Sequence, residues 1–220
     1  MKYLFCFVIC IPTLLYGQVK DVDDNVYTTT KIGNQEWLVQ DLKVTHFQNG
    51  DQIHQAKTYQ EWNQAAKAQK PAWCYYMNDA KNGAKYGVLY NWYAVNDSRG
   101  LAPKGWRIAS LEDWNALITE LGSYHEGDAL KSLSGWSERH EPTNETGFSA
   151  LPSGWRDWEL TIEEDHGFDF LGEVVQWWTS TNVNKTEAIG MNLGYCVGYN
   201  IGEDEDPKGN GAYIRCIKQK

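Results

Sequence analysis

The sequence predicts an α+β fold with short, mostly antiparallel strands, two main helices and long irregular loops. Three observations carry that prediction. Strand-like runs gather toward the two ends of the chain and helical periodicity lies between them, a segregation typical of α+β proteins. Eleven Trp, thirteen Tyr and twenty Gly in 220 residues suit an aromatic core joined by many turns. No low-complexity linker interrupts the pattern.

The first residues, MKYLFCFVICIPTLLYGQ, place Lys2 before an apolar run from Tyr3 to Tyr16. That run is too short for a comfortable membrane span and reads as a signal peptide over residues 1–17, cleaved near Gly17/Gln18. Residues 18–220 then read as a single exported domain, not integral to a membrane after cleavage. The net charge of −9 argues against nucleic acid, because phosphate neutralisation needs clustered Lys and Arg.

Each element has a local cause. Val26–Ile32 and Glu36–Gln40 are β-rich runs separated by Gly-Asn, a hairpin signal. Thr58 and Glu61 stand at capping-box spacing, and Tyr59, Trp62, Ala65 and Ala66 share a helical face. PAWCYYMND reads as a short strand ending in a turn, and YGVLYNWYAVND as an aromatic helical turn in the core. Ser110 caps the second helix with Asp113 three residues on, Leu111, Trp114, Leu117, Ile118 and Leu121 form its apolar stripe, and Gly122 stops it.

Pro-x-Gly-Trp-Arg occurs twice, at 103–107 and 152–156. The surroundings differ, since the first copy leads into a helix and the second is extended on both sides. The pentapeptide therefore reads as repeated local chemistry, a turn that feeds a buried Trp and a salt-bridging Arg into the core, and not as a duplicated domain.

Beyond the leader there are three cysteines. Cys196 and Cys216 lie in strand-like runs around IGEDEDPKGNG, and symmetric pairing about Asp206 would set them across a hairpin, within reach of a disulfide. Cys74 is then a buried spare thiol. The spacing leaves open a pairing of Cys74 with either of the others.

The blocks YTTTKIGNQEWLVQDLK, WCYYMNDAKNGAKYGVLYNWYAV, LAPKGWRIASLEDWNALITELG, GFSALPSGWR, WWTST and IRC resemble, in that order, the Fibrobacter succinogenes major paralogous domain. The resemblance implies an exported protein, secreted or held in the cell envelope of a Gram-negative bacterium. GWRIASLEDWNAL also resembles a block of formylglycine-generating-enzyme-like proteins, which implies a C-type-lectin-like fold. Many members carry a second Cys soon after the CYYMND position, where this chain has AKNGAKYG; that departure agrees with a spare Cys74. The family implies no settled activity.

The candidate chemistry follows from residue types. Trp155, Arg156, Trp158, His166 and Trp178 are the ligand-binding candidates, because flat aromatic faces stack on sugar rings or peptide side chains while polar neighbours hydrogen-bond them. Trp158, amid polar residues, is the expected exposed aromatic; Trp155 and one of Trp177 and Trp178 suit the core. Glu203, Asp204 and Asp206 are candidate calcium ligands, although they lack the Asp-x-Asn-x-Asp-Gly spacing. Calcium is the one cofactor candidate. No nucleophile elbow, phosphate loop, dinucleotide fingerprint or metal-binding His spacing occurs. The expectation is a non-catalytic module binding carbohydrate or protein, with a structural or adhesin-like subunit second and an enzyme related to the formylglycine-generating group third.

Overall fold

A computed structural model describes residues 18–159, 167–196 and 199–219. The expected signal peptide lies outside the described residues. The chain opens with strands β1 (Val19–Lys20), β2 (Val26–Tyr27), β3 (Thr29–Ile32), β4 (Gln35–Leu38) and β5 (His54–Gln55). Helix α1 (Tyr59–Lys67), strand β6 (Ala72–Cys74), helix α2 (Ala80–Tyr86), strand β7 (Leu89–Tyr90) and helix α3 (Trp92–Val95) follow. Next come β8 (Trp106–Ile108) and α4 (Leu111–Leu121). The chain closes with β9 (Ser153–Arg156), β10 (Phe168–Leu171), β11 (Val174–Asn182), β12 (Glu187–Cys196), β13 (Tyr199–Pro207) and β14 (Cys216–Lys218).

The strands form a five-stranded sheet in the order β10-β9-β11-β12-β13, a four-stranded sheet β3-β4-β14-β8, a three-stranded sheet β5-β6-β7 and the pair β1-β2. Pairing is antiparallel except for β9 with β11 and β5 with β6. The α+β class and the mostly antiparallel pairing match the sequence expectation.

Both main helices start where their caps predict. Thr58 Oγ1 accepts the Glu61 amide at 3.1 Å, and Glu61 accepts the Lys57 amide in return. Ser110 and Asp113 close a capping box, and Gly122 ends α4 at φ +98°, a conformation glycine adopts without a Cβ clash.

Trp37, Trp114, Trp177 and Phe148 form a fully buried ring cluster, with Trp114 stacked on Trp177 at 5.0–5.9 Å spacings throughout the group. Arg215, of the closing IRC block, reaches into that cluster. Its Nε donates to Asp41 Oδ1 at 2.7 Å, and the same oxygen accepts the Trp177 indole at 2.8 Å. Its Nη1 donates to the carbonyls of Leu38, Val39 and Phe148. Four of the sequence blocks thus meet in one buried polar knot, where a guanidinium finds both a countercharge and acceptors.

The hairpin register corrects one expectation. β12 pairs with β13 from Glu187↔Pro207 to Cys196↔Tyr199, so the acidic run is strand and not turn. Cys216 lies in another sheet, opposite Ile108 on β8, and is a free, buried thiol. The expected Cys196–Cys216 bridge is therefore not formed. Cys74 is free and buried, as expected of the spare thiol.

Candidate functional site

An open cleft of about 440 Å³ lies between α1, α3, the chain after β9 and the end of β13. Trp158 and Tyr93 are its aromatic walls, and Lys67, Gln69, Glu159, Thr186 and Glu187 bring charges, an amide and a hydroxyl. Trp158 is held by its own backbone, whose amide donates to Asn210 Oδ1 at 3.3 Å. Its ring lies over Gly209, where an added Cβ would fall 2.7 Å from the indole. The glycine is therefore needed for the ring to settle. Beneath it, the Trp62 indole donates to the Gly209 carbonyl at 2.9 Å.

Lys208 is buried at the cleft floor. Its ammonium donates to the Asn184 carbonyl and sits 4.4 Å from the Trp92 ring centroid, while burial lowers its pKa. Burial also raises the Tyr93 hydroxyl, so Tyr93 is neutral and can donate a hydrogen bond at physiological pH. The lining contains no thiol and no imidazole. The groups suit stacking and hydrogen bonding.

A larger hollow, about 580 Å³, lies between α1 and residues 47–54. Its aromatic, Phe47, is buried under the Arg99 guanidinium at 3.9 Å, and Arg99 is tied to Asp97 and Asp51. That hollow offers a ligand no free aromatic face, so the smaller cleft is the better candidate.

The five ligand-binding candidates separate. Trp158 lines the cleft as a half-buried side chain, more enclosed than its polar neighbours suggested. Trp155 is half-buried as well, where full burial in the core was expected, with its ring parallel to that of Phe170. Trp178 is fully buried, and its indole donates to the Tyr90 carbonyl. Adjacent side chains on β11 do point to opposite faces, but both faces of that strand are covered. Trp177 enters one core cluster and Trp178 the other. Trp178 is thus unavailable to a ligand.

Arg156 is also fully buried. Trp62 and Phe168 flank its guanidinium at 4.7 and 4.5 Å, and Nη1 approaches the Cys74 sulfur at 3.4 Å. Nε and Nη2 have no hydrogen-bond partner and no solvent contact. Two aromatic faces take the place of a counterion, and the side chain is a core cation, not a ligand-binding arm. His166 lies outside the described residues.

The calcium candidates lie along β13. Asp206 turns inward and accepts from Gln176 at 2.7 Å, Asp204 accepts from Asn192 at 2.7 Å, and Glu203 is exposed. Among the described residues no group of three or more His, Cys, Asp or Glu side chains could hold a metal ion. Burial raises the pKa of both described thiols, with the Arg156 charge opposing it at Cys74 and Arg215 at Cys216, so neither thiol is a ready nucleophile. Sequence reasoning missed Tyr93, Lys208 and Phe170. The signal available for Tyr93 was its place in NWYAV, where a helical turn sends one aromatic of an adjacent pair outward.

Fold and cleft define an aromatic-cored α+β protein with an open, aromatic-walled depression. The chain belongs to the Fibrobacter succinogenes major domain family, whose model matches residues 30–218. No curated protein and no solved structure matches it.

Proposed function

We propose that the protein is an exported, non-catalytic binding module of C-type-lectin-like architecture that holds a carbohydrate in the Trp158–Tyr93 cleft. One observation carries the reading: two aromatic side chains wall an open depression whose rim mixes carboxylates, a lysine, an amide and a hydroxyl. A pyranose has an apolar C–H face and a polar hydroxyl edge, and such a cleft matches both. The two long helices with an irregular 122–152 stretch between α4 and β9 support the architecture. The apolar leader supports export to the envelope or beyond, and among the described residues no helix is long and apolar enough to cross a membrane.

A glycan-array screen of the purified protein, with and without calcium, tests the proposal. Glycan binding that Trp158→Ala and Tyr93→Ala each reduce is the expected result, and the scattered acidic groups predict that a chelator leaves it unchanged. Silence across the array would remove the sugar reading and turn the search to protein partners.

A further inference from the structure

Phe168 and Phe170 lie two residues apart on β10, where alternation sends both side chains to one face. Phe168 obeys. It is buried against Tyr76 at 5.2 Å and against the Arg156 guanidinium. Phe170 does not. Its φ is +60°, in the left-handed region that a bulky L-residue rarely adopts, and its side chain is 45% exposed. Its ring lies parallel to that of Trp155, 8° between planes and 6.5 Å between centroids. Asp169 pairs with Trp155 across the strands and is exposed; one carboxylate oxygen holds the Phe170 amide at 2.7 Å.

The arrangement begins the turn in which the Phe170 carbonyl accepts the Glu173 amide at 3.0 Å. A strained backbone turns an aromatic ring outward, toward a tryptophan whose own neighbour, Arg156, has taken the inner face. Strain of this kind persists where the surroundings or a function demand it. We infer that Trp155 and Phe170 form a second sugar-stacking platform, on the outer face of the β9–β10 edge, for a neutral pyranose unit. Phe170, stacked with Trp155, offers its exposed apolar surface to the C–H face of the sugar, and Asp169 offers a carboxylate at its edge for hydroxyls. The acidic balance of the chain and the carboxylate of Asp169 at the platform disfavour anionic polymers. None of the platform residues lines the Trp158 cleft. The inference takes its ligand class from the carbohydrate reading of that cleft.

Phe170→Gly is the informative variant, because glycine removes the ring and relieves the positive φ together, so its melting temperature should hold or rise. The probes are an insoluble neutral β-glucan, a mannan and, as an anionic control, alginate. The expected result is residual binding of a neutral polysaccharide by Trp158→Ala/Tyr93→Ala protein, reduced about tenfold or more by adding Phe170→Gly or Trp155→Ala. Residual binding that survives Phe170→Gly would overturn the platform and leave the cleft standing. So would a cleft variant with no residual binding. Failure of the unmodified protein to bind any of these polymers would overturn both. Self-association in solution that Phe170→Gly abolishes would assign the face to a second copy of the chain and overturn the sugar platform.

Discussion

The two Pro-x-Gly-Trp-Arg copies share four residues in five and bury opposite ones. In the first, Trp106 is buried on β8 while Arg107 lies at the surface, bound through both terminal nitrogens to Asp113 of the α4 capping box. In the second, Arg156 is buried between two aromatic rings and Trp155 is half-buried beside the exposed Phe170. Both glycines hold positive φ, Gly105 at +83° and Gly154 at +69°. The first copy closes a turn, in which the Trp106 amide donates to the Pro103 carbonyl at 2.9 Å, whereas in the second Gly154 lies within strand β9 and the Pro152 carbonyl accepts the Gly172 amide. β8 is the edge of a sheet and leads into α4, whose capping-box carboxylate, Asp113, also takes the Arg107 guanidinium. β9 lies between β10 and β11, with Trp62 and Phe168 lining its inner face. Neighbouring strand residues must point to opposite sides, so the environment chooses which of the two goes in. The motif therefore fixes a glycine at positive φ without fixing which side chain is buried.

The sharpest break between the copies is at tryptophan. Trp106→Ala should cost about 3–5 kcal/mol, as for other buried large-to-small changes, whereas Trp155→Ala should cost about 1 kcal/mol or less. Urea midpoints of the two variants check this, and equal losses would erase the distinction.

Arginine should behave in the opposite sense. Arg156→Ala leaves a void between Trp62 and Phe168 and should cost about 3 kcal/mol, while Arg156→Met refills it and should be neutral to within about 1 kcal/mol, since no carboxylate loses its partner. Arg107→Ala removes a part-exposed ion pair and should cost about 1 kcal/mol or less. Calorimetric melting of the three variants orders them.

Acid separates the regions next. Asp113 is raised by burial, but hydrogen bonds from Arg107 and Ser110 more than offset this and hold it below the ordinary carboxylate value of 3.8. Its stabilisation is lost only as pH falls through that lowered value. Near the second copy, Asp206 is pushed up to about 6 by burial. The folded state binds that proton more tightly than the unfolded chain, so the contribution is full below 3.8 and is lost as pH rises through about 6; it is on the order of 2–3 kcal/mol. His140 works against it. Its ring nitrogen Nδ1 lies 2.9 Å from the buried Lys131 ammonium, which must be the donor, and Nε2 lies 3.5 Å from Glu173, an ion-pair distance too long for a hydrogen bond. Burial, then the Lys131 charge, lower its pKa below 6.5 despite Glu173. Its contribution is full above 6.5 and is lost as pH falls through the lowered value. Denaturation midpoints between pH 8 and 5 should fall more steeply in Asp206→Asn than in the unmodified protein, and should rise on acidification in His140→Gln. Identical slopes in all three would contradict these assignments.

Much of this architecture was legible in the sequence, for physical reasons that differ by element. The helix starts at Thr58 and Ser110 were readable because caps are local hydrogen bonds. The β12–β13 register was not. Acidic residues read as turn, yet Asn192 and Gln176 supply cross-strand donors that let Asp204 and Asp206 sit in a strand. The exposure of Trp178 was misread because one-sided burial was assumed for a strand that is covered on both faces. Trp158 was found as a candidate because its neighbours are polar, but its partner Tyr93 comes from a helix more than sixty residues earlier, and no local pattern links them. The inversion at Trp155 depends on Phe168 and Trp62, which only the fold brings to Arg156.

Hydroxyl-radical footprinting of the tryptophans, with and without a bound glycan, tests the account most directly. Trp155 and Trp158 should oxidise readily while Trp106, Trp177 and Trp178 stay protected, and glycan should then shield Trp158 and Trp155. A Trp106 as reactive as Trp155, or a saturating glycan that shields neither Trp155 nor Trp158, would contradict it.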